Sequence, residues 1–306
     1  MTSDVFGART LEGHQWAQLP ERGTPGSVRT IMWIARHLGR RVARLLLYPI
    51  TFYFLLTAGA AREASRQYLR RLHSRRAGWW QLFCHFHCFA ATILDRVYLL
   101  KGQFDCFNIT LHGKDTLIRQ MESGKGCLLL GSHLGSFEVL RTLGVSLSGF
   151  PLRVLMDIEH NPNITRLLDA LNPDIANTVI QPNQPDTLLK VKESLDAGFF
   201  IGVLGDRVSK GDKTTECRFL GASAIFPAGP VLLAAIMNCP VILFFGLYRG
   251  GNRYEIHFEY FAQTINLNRD RRTEEIRVWT QRYVERLEHY ARLAPYNWFN
   301  FFPFWD

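Results

Sequence analysis

At 306 residues and 47% apolar composition, the chain can bury a full core in one large domain or two small ones, and no low-complexity tract or internal repeat interrupts it. Its six cysteines (Cys84, Cys88, Cys106, Cys127, Cys217, Cys239) are scattered through apolar runs, which excludes a secreted disulfide framework and indicates reduced thiols in a reducing compartment. The net charge of +9 is carried by residues 1–76, with 13 Arg against 4 acidic groups, whereas residues 77–306 hold 23 basic and 23 acidic groups, so only the N-terminal end seeks an anionic surface.

In chain order, residues 1–29 form a polar segment, residues 30–76 a basic and apolar helical region, and residues 77–306 the body of the protein. Within the second part, "LLLYPITFYFLLTAGAA" (45–61) is uncharged and flanked by Arg36, Arg40, Arg41 and Arg44 before it and Arg62, Arg66, Arg70 and Arg71 after it. Seventeen residues is the lower limit of a membrane span, Pro49 should kink the helix, and positive charge on both flanks gives no orientation. The expectation is a helix half-sunk in an anionic leaflet, or a short anchor. A cleaved leader is not expected, because some 30 mostly polar residues come first. Nucleic acid is excluded as a partner, since no reading module accompanies the arginines and the apolar run would go unexplained.

Apolar residues at three-and-four spacing predict helices through 30–102. From about 104, short β-like runs, "CLLLGS", "LRVLMD", "FFIGVLGD", "PVILFFGLYR" and "YEIHFEYF", alternate with helical stretches near 114–122, 136–146, 185–196, 228–238 and 272–292. That alternation predicts an α/β fold, a sheet covered by helices. The closing "APYNWFNFFPFW" is too aromatic for a disordered tail.

"CLLLGSHLGSFEVLR" (127–141) is a buried strand, a turn between two glycines, and a helix. Sites form at the carboxyl ends of strands in such sheets, and His133 lies at one. His133 and Glu138 would point about 140° apart on one continuous helix. They meet if His133 stays in the turn and Glu138 sits in the first helical turn, with Ser136 as N-cap. Glu138 would then fix the imidazole tautomer, leaving the other nitrogen to take a proton from a hydroxyl, and the backbone N–H groups of Gly135 and Ser136 would hold an oxyanion. Arg141, one turn further on, either touches a phosphate of donor or acceptor or is a solvated helix residue without a function.

Competing chemistries fit less well. "CHFHC" (84–88) has zinc-ligand residue types, but Cys84 and Cys88 share a helical face that His85 and His87 do not. The hydrolase elbow G-x-S-x-G, the Walker loop and G-x-G-x-x-G are all absent.

Taken together and in this order, "GSHLGSFE", "GDRVSKGDKTTECRFLGASAIFPAGPVLLAA", "NCPVILFF" and "PYNWFNFFPFW" resemble the lipid A late acyltransferases, the lauroyl and myristoyl transferases of the lysophospholipid acyltransferase superfamily, over about residues 30–306. The resemblance implies an αβ sandwich of the glycerolipid acyltransferase type with an N-terminal membrane helix, at the cytoplasmic face of a bacterial inner membrane. It implies acyl transfer from an acyl carrier protein or coenzyme A thioester to a lipid or glycolipid hydroxyl, with no metal or bound cofactor. It makes His133 and Glu138 the H-x-x-x-x-E pair and matches Asp206, followed by Arg207, to the family's acidic position after a strand. It also matches Gly221, Ala224, Phe226, Pro227 and Gly229 to a segment that would shape the acyl or phosphate pocket, a purely structural turn being an equal reading for any one of them. The family's "Y-R-P-x-x-N-P" arginine corresponds here to Met156 or Asp157, with Asn161 and Pro162 kept, which counts against lipid A itself as acceptor unless Arg166 or Arg207 compensates. The similarity is therefore closer to relatives that serve other lipid pathways, such as aryl polyene or glycolipid synthesis. A thioesterase using the same pair, or a lipid-binding protein without catalysis, is the alternative.

Overall fold

A computed structural model of the protein describes residues 39–140, 150–156, 178–182, 184–209 and 211–305. The polar segment 1–29, Arg36, Arg141, Asp157, Asn161, Pro162 and Arg166 lie outside the described residues. Strands β1 (Asn108–His112), β2 (Cys127–Gly131), β3 (Leu152–Leu155), β4 (Val179–Ile180), β5 (Phe200–Leu204), β8 (Val241–Tyr248) and β9 (Arg253–Ala262) form a seven-stranded sheet in the order β1-β9-β8-β2-β5-β3-β4. Every neighbouring pair is parallel except β8 with β9. The five runs that read as strands are all strands. The edge strands β1 and β4 are too short for periodicity to reveal them, with only Ile109 and Leu111 apolar in β1 and two residues in all in β4.

Helices cover both faces of the sheet. Along β2, Leu128 and Leu130 enter one core, while Cys127 and Leu129 enter the other, so the strand is buried on both sides and reads as one continuous apolar run. The first core takes in helix α2 (Gly59–His73), the start of α3 (Trp79–Leu100), α6 (Gly229–Met237), α7 (Arg272–Leu293) and the aromatic tail. The second takes in α1 (Gly39–Thr57) and the later turns of α3. Helices α4 (Lys114–Glu122) and α5 (Thr187–Asp196) are connections between strands. The described part of the helical region, residues 39–73, thus shares its cores with the sheet.

Helix α1 runs through Pro49, and the chain bends by 95° at Ala58, not at the proline. The guanidinium of Arg62 donates to the carbonyls of Leu55 and Leu56, closing the end of α1 at that corner. No single helix among the described residues is long and apolar enough to cross a membrane; α1 and α2 meet that length and hydropathy only as a bent pair. One face of α1 (Ala43, Leu47, Thr51, Leu55) is buried, and Leu45, Tyr48, Phe52, Tyr53 and Leu56 are exposed together with Trp79 and Trp80 of α3. Two of the arginines expected to flank a membrane segment face inward. Arg40 and Arg44 bind the fully buried Asp95 of α3 at 2.8 and 3.3 Å, and Tyr254 donates to the same carboxylate.

Gly221, Ala224, Phe226, Pro227 and Gly229 lie apart from the main sheet. These belong to a separate antiparallel hairpin, β6 (Thr214–Phe219) with β7 (Ala222–Pro227), and to the first residue of α6. Leu220 and Gly221 both have positive φ, as a two-residue hairpin turn requires. Phe226 is fully buried against Phe219 and Phe304. In this segment Phe226 and Pro227 are thus buried, whereas Gly221 and Gly229 are exposed.

Candidate active site

Strands β2 and β5 are parallel neighbours, with Gly131 opposite Leu204. His133 and Asp206 each follow the end of their strand by two residues, so the sheet delivers both to one edge. The Nδ1 of His133 is 2.8 Å from Oδ1 of Asp206, and the backbone N–H of His133 donates to the same carboxylate at 3.0 and 3.1 Å. Since an ionised carboxylate only accepts, Nδ1 carries the hydrogen and Nε2 carries the lone pair. The His133 ring keeps 29% of its surface exposed; the Asp206 side chain keeps none.

Three further groups close around Asp206. Trp298 Nε1–H and Asn300 Nδ2–H donate to Oδ2 at 3.0 and 3.2 Å. Arg207, the next residue, donates through Nε to Asn300 Oδ1 at 2.7 Å and through Nη2 to the Phe299 carbonyl at 2.8 Å. The tail also pairs with the histidine turn itself: Phe299 N–H donates to the His133 carbonyl at 2.9 Å, and Leu134 bridges Trp298 in antiparallel fashion.

These surroundings set the charge states. Burial works to raise the Asp206 carboxyl, but the charge and hydrogen bonds of His133, with Arg207 behind them, outweigh it and hold it below its usual range. Burial and the nearby Arg207 push His133 down from its ordinary value, against the upward pull of Asp206. Burial lowers Arg207 to about 10, which leaves it charged at neutral pH. The site at pH 7 holds a neutral imidazole, a carboxylate and a guanidinium.

Two expectations about the turn are revised. The helix does open at Phe137, which places Ser136 just before it and Glu138 in its first turn. The carboxylate on Nδ1, however, belongs to Asp206, so the tautomer-fixing part assigned to Glu138 by the H-x-x-x-x-E spacing passes to Asp206. Glu138 is buried and lies 3.4 Å from Arg96 of α3, a cation whose charge also lowers His133. The second revision concerns the oxyanion. The N–H of Gly135 donates to Asn297 O and that of Ser136 to Gly246 O, both at 2.7 Å, so neither is the oxyanion donor expected from the turn. Gly135 is required for another reason: its φ is +75°, and a Cβ there would lie 1.9 Å from Gly246 O.

Sequence reasoning missed Trp298, Asn300 and Arg96 as parts of this site. Only the aromatic tail carried a signal, as a segment too apolar to be loose. Among the described residues one set of metal-ligand types comes together, His112, Glu255 and His257, with ligand atoms within 4.8 Å of one another. Their geometry does not converge: the two imidazoles stack face to face at 4.4 Å and 11°, and Glu255 already pairs with Arg249 at 3.1 Å. In "CHFHC", His85 is buried against the tail and His87 packs on Tyr48, so the zinc reading stays set aside. Compared with known proteins, the chain matches no family model and no curated protein.

Proposed function

We propose that the protein is a membrane-associated O-acyltransferase that moves an acyl chain from an acyl carrier protein or coenzyme A thioester to the hydroxyl of a lipid or glycolipid. The observation that carries this reading is the His133–Asp206 pair, at the carboxyl edge of a parallel sheet, inside a sequence context that resembles the lipid A late acyltransferases. Asp206 holds the hydrogen on Nδ1, so Nε2 takes the proton as the acceptor oxygen attacks the thioester carbonyl carbon. When the tetrahedral intermediate collapses, the carbon–sulfur bond breaks and the imidazolium returns the proton to the departing thiolate. Arg207 and Arg96 supply positive charge beside the reacting atoms, which favours the developing oxyanion and an anionic donor or acceptor. The thioester is already activated, so this chemistry needs no metal.

The exposed row Leu45, Tyr48, Phe52, Tyr53, Leu56, Trp79 and Trp80 supports an interfacial seat on an anionic leaflet, consistent with the cytoplasmic face of a bacterial inner membrane. The αβ sandwich of the glycerolipid acyltransferase type is the fold family this reading selects.

The test is incubation of purified protein with acyl carrier protein and coenzyme A thioesters and an extract of membrane lipids, followed by mass spectrometry for a lipid that gains one acyl chain. The same species should be missing from cells lacking the gene. Thioester consumed to free acid in every lipid mixture would replace transfer by hydrolysis; no consumption at all would overturn the reading.

A further inference from the structure

The imidazole of His85 is fully buried, and the chemistry just described does not use it. It lies on α3 against Tyr68, Phe299 and Phe301, with ring centroids at 5.4, 6.3 and 4.6 Å. Its Nε2 is 2.8 Å from the carbonyl of Trp298, and its Nδ1 is 2.7 Å from the hydroxyl of Ser65 on α2. A carbonyl only accepts, so Nε2 carries the hydrogen; Nδ1 must then accept from Ser65. The contacts allow one neutral tautomer.

Trp298 links this group to the reaction centre. While His85 holds its carbonyl, its indole N–H donates to Asp206 Oδ2 at 3.0 Å, and its ring is wedged between Tyr68, Phe219 and Phe304 at 5.0, 5.1 and 4.8 Å. The two carboxylate oxygens of Asp206 thereby have separate duties. Oδ1 meets the ring of His133, Oδ2 takes both side-chain donors of the tail, and the backbone N–H of His133 is shared between the two oxygens. A carboxylate rotates easily about its Cβ–Cγ bond, and fixing one oxygen aims the other.

We infer that His85 and Trp298 are positioning residues: through the chain Ser65–His85–Trp298–Asp206 they lock the rotation of the Asp206 carboxylate and so the tautomer of His133. The inference rests on the proposed use of His133 as a base. It also gives helices α2 and α3 a direct hold on the chemistry, although neither supplies the base.

The test uses the full chain in detergent micelles with ¹⁵N-labelled histidine. In the unaltered protein, His85 should show an Nε2–H tautomer that persists from pH 8 down to 5, and His133 an Nδ1–H tautomer. Trp298→Phe keeps an aromatic ring and removes the donor; it should lower kcat for thioester turnover about 10-fold with KM unchanged, and mix the His133 tautomers. His85→Phe should act in the same direction. His85→Gln, whose amide can donate to the Trp298 carbonyl and accept from Ser65, should recover most of the loss. Unchanged kcat and an unchanged His133 tautomer in folded Trp298→Phe would overturn the inference, as would a His85→Gln protein no better than His85→Phe. If Trp298→Phe fails to fold, a His85 ring in the unaltered protein that is Nδ1–H, or that titrates near 6.5, overturns it equally. An unaltered protein with no thioester turnover but with both tautomers as stated would reject the proposed reaction and leave the positioning chain standing.

Discussion

His133 and Asp206 are 73 residues apart in sequence and 2.8 Å apart in space, because each follows by two residues the end of one of two adjacent parallel strands. The pairing is a consequence of strand order, and it reassigns the partner of the histidine from the same turn to the neighbouring strand. Asp206→Asn should therefore lower transfer about 100-fold or more, as should His133→Ala, while Glu138→Gln should cost less than either. Steady-state rates on the three purified variants, with circular dichroism to confirm folding, check this. A Glu138→Gln protein as dead as Asp206→Asn would return the leading role to the H-x-x-x-x-E spacing.

The pH profile follows from His133. Its folded-state pKa is lowered by burial and Arg207, so the neutral base predominates at pH 7 to 8 and is lost as pH falls through a value below 6.5. The expected kcat profile is a single acid limb with its midpoint below 6.5. A midpoint above 7 would mean that the Asp206 charge outweighs burial.

Stability should show its own acid limb. His85 is held down to about 4 by burial, so the unfolded chain binds the proton first as pH falls. The contribution is fully present above pH 6.5 and is progressively lost between 6.5 and about 4. Urea midpoints measured across that window should fall less steeply for His85→Gln than for the unaltered protein.

At the membrane face, apolar area and charge make separable predictions. Replacing Leu45, Phe52 and Trp80 by Ser removes exposed side chains that bury on insertion, each contributing about 1.5–3 kcal/mol when fully buried, and should shift the protein off lipid vesicles. Arg40→Gln with Arg44→Gln should instead lower thermal stability, by about 3–5 kcal/mol, because both cations neutralise the buried Asp95. Arg41 is exposed, so the Gln variant there should weaken binding to anionic vesicles mainly at low salt. Vesicle binding unaffected by the three Ser substitutions would show that this face seats no lipid.

Gly135→Ala tests the turn. It combines a left-handed backbone with a Cβ 1.9 Å from Gly246 O, and should cost more than about 4 kcal/mol or prevent folding. Thermal melts decide it, and a cost under about 1 kcal/mol would mean that the turn relaxes freely.

Much of this protein was legible in one dimension. Strands buried on both faces read as unbroken apolar runs, and helices showed three-and-four spacing, so the α/β alternation, the five central strand runs and the position of His133 at a strand end all followed from local periodicity. The closing aromatic run was legible as ordered, but not as a lining of the site. What pairs with what was settled in three dimensions, because hydrogen-bond partners depend on strand order and on how the tail returns. Asp206 reached His133 through the β2–β5 pairing, and Trp298 reached Asp206 because the tail lies antiparallel to the histidine turn. The N–H groups of Gly135 and Ser136, which the local sequence offered to an oxyanion, were taken by Asn297 and Gly246, 162 and 110 residues away. Arg40 and Arg44 looked like membrane-facing charge until folding brought Asp95 beneath them, since a buried carboxylate draws in whatever cation the tertiary structure can place against it.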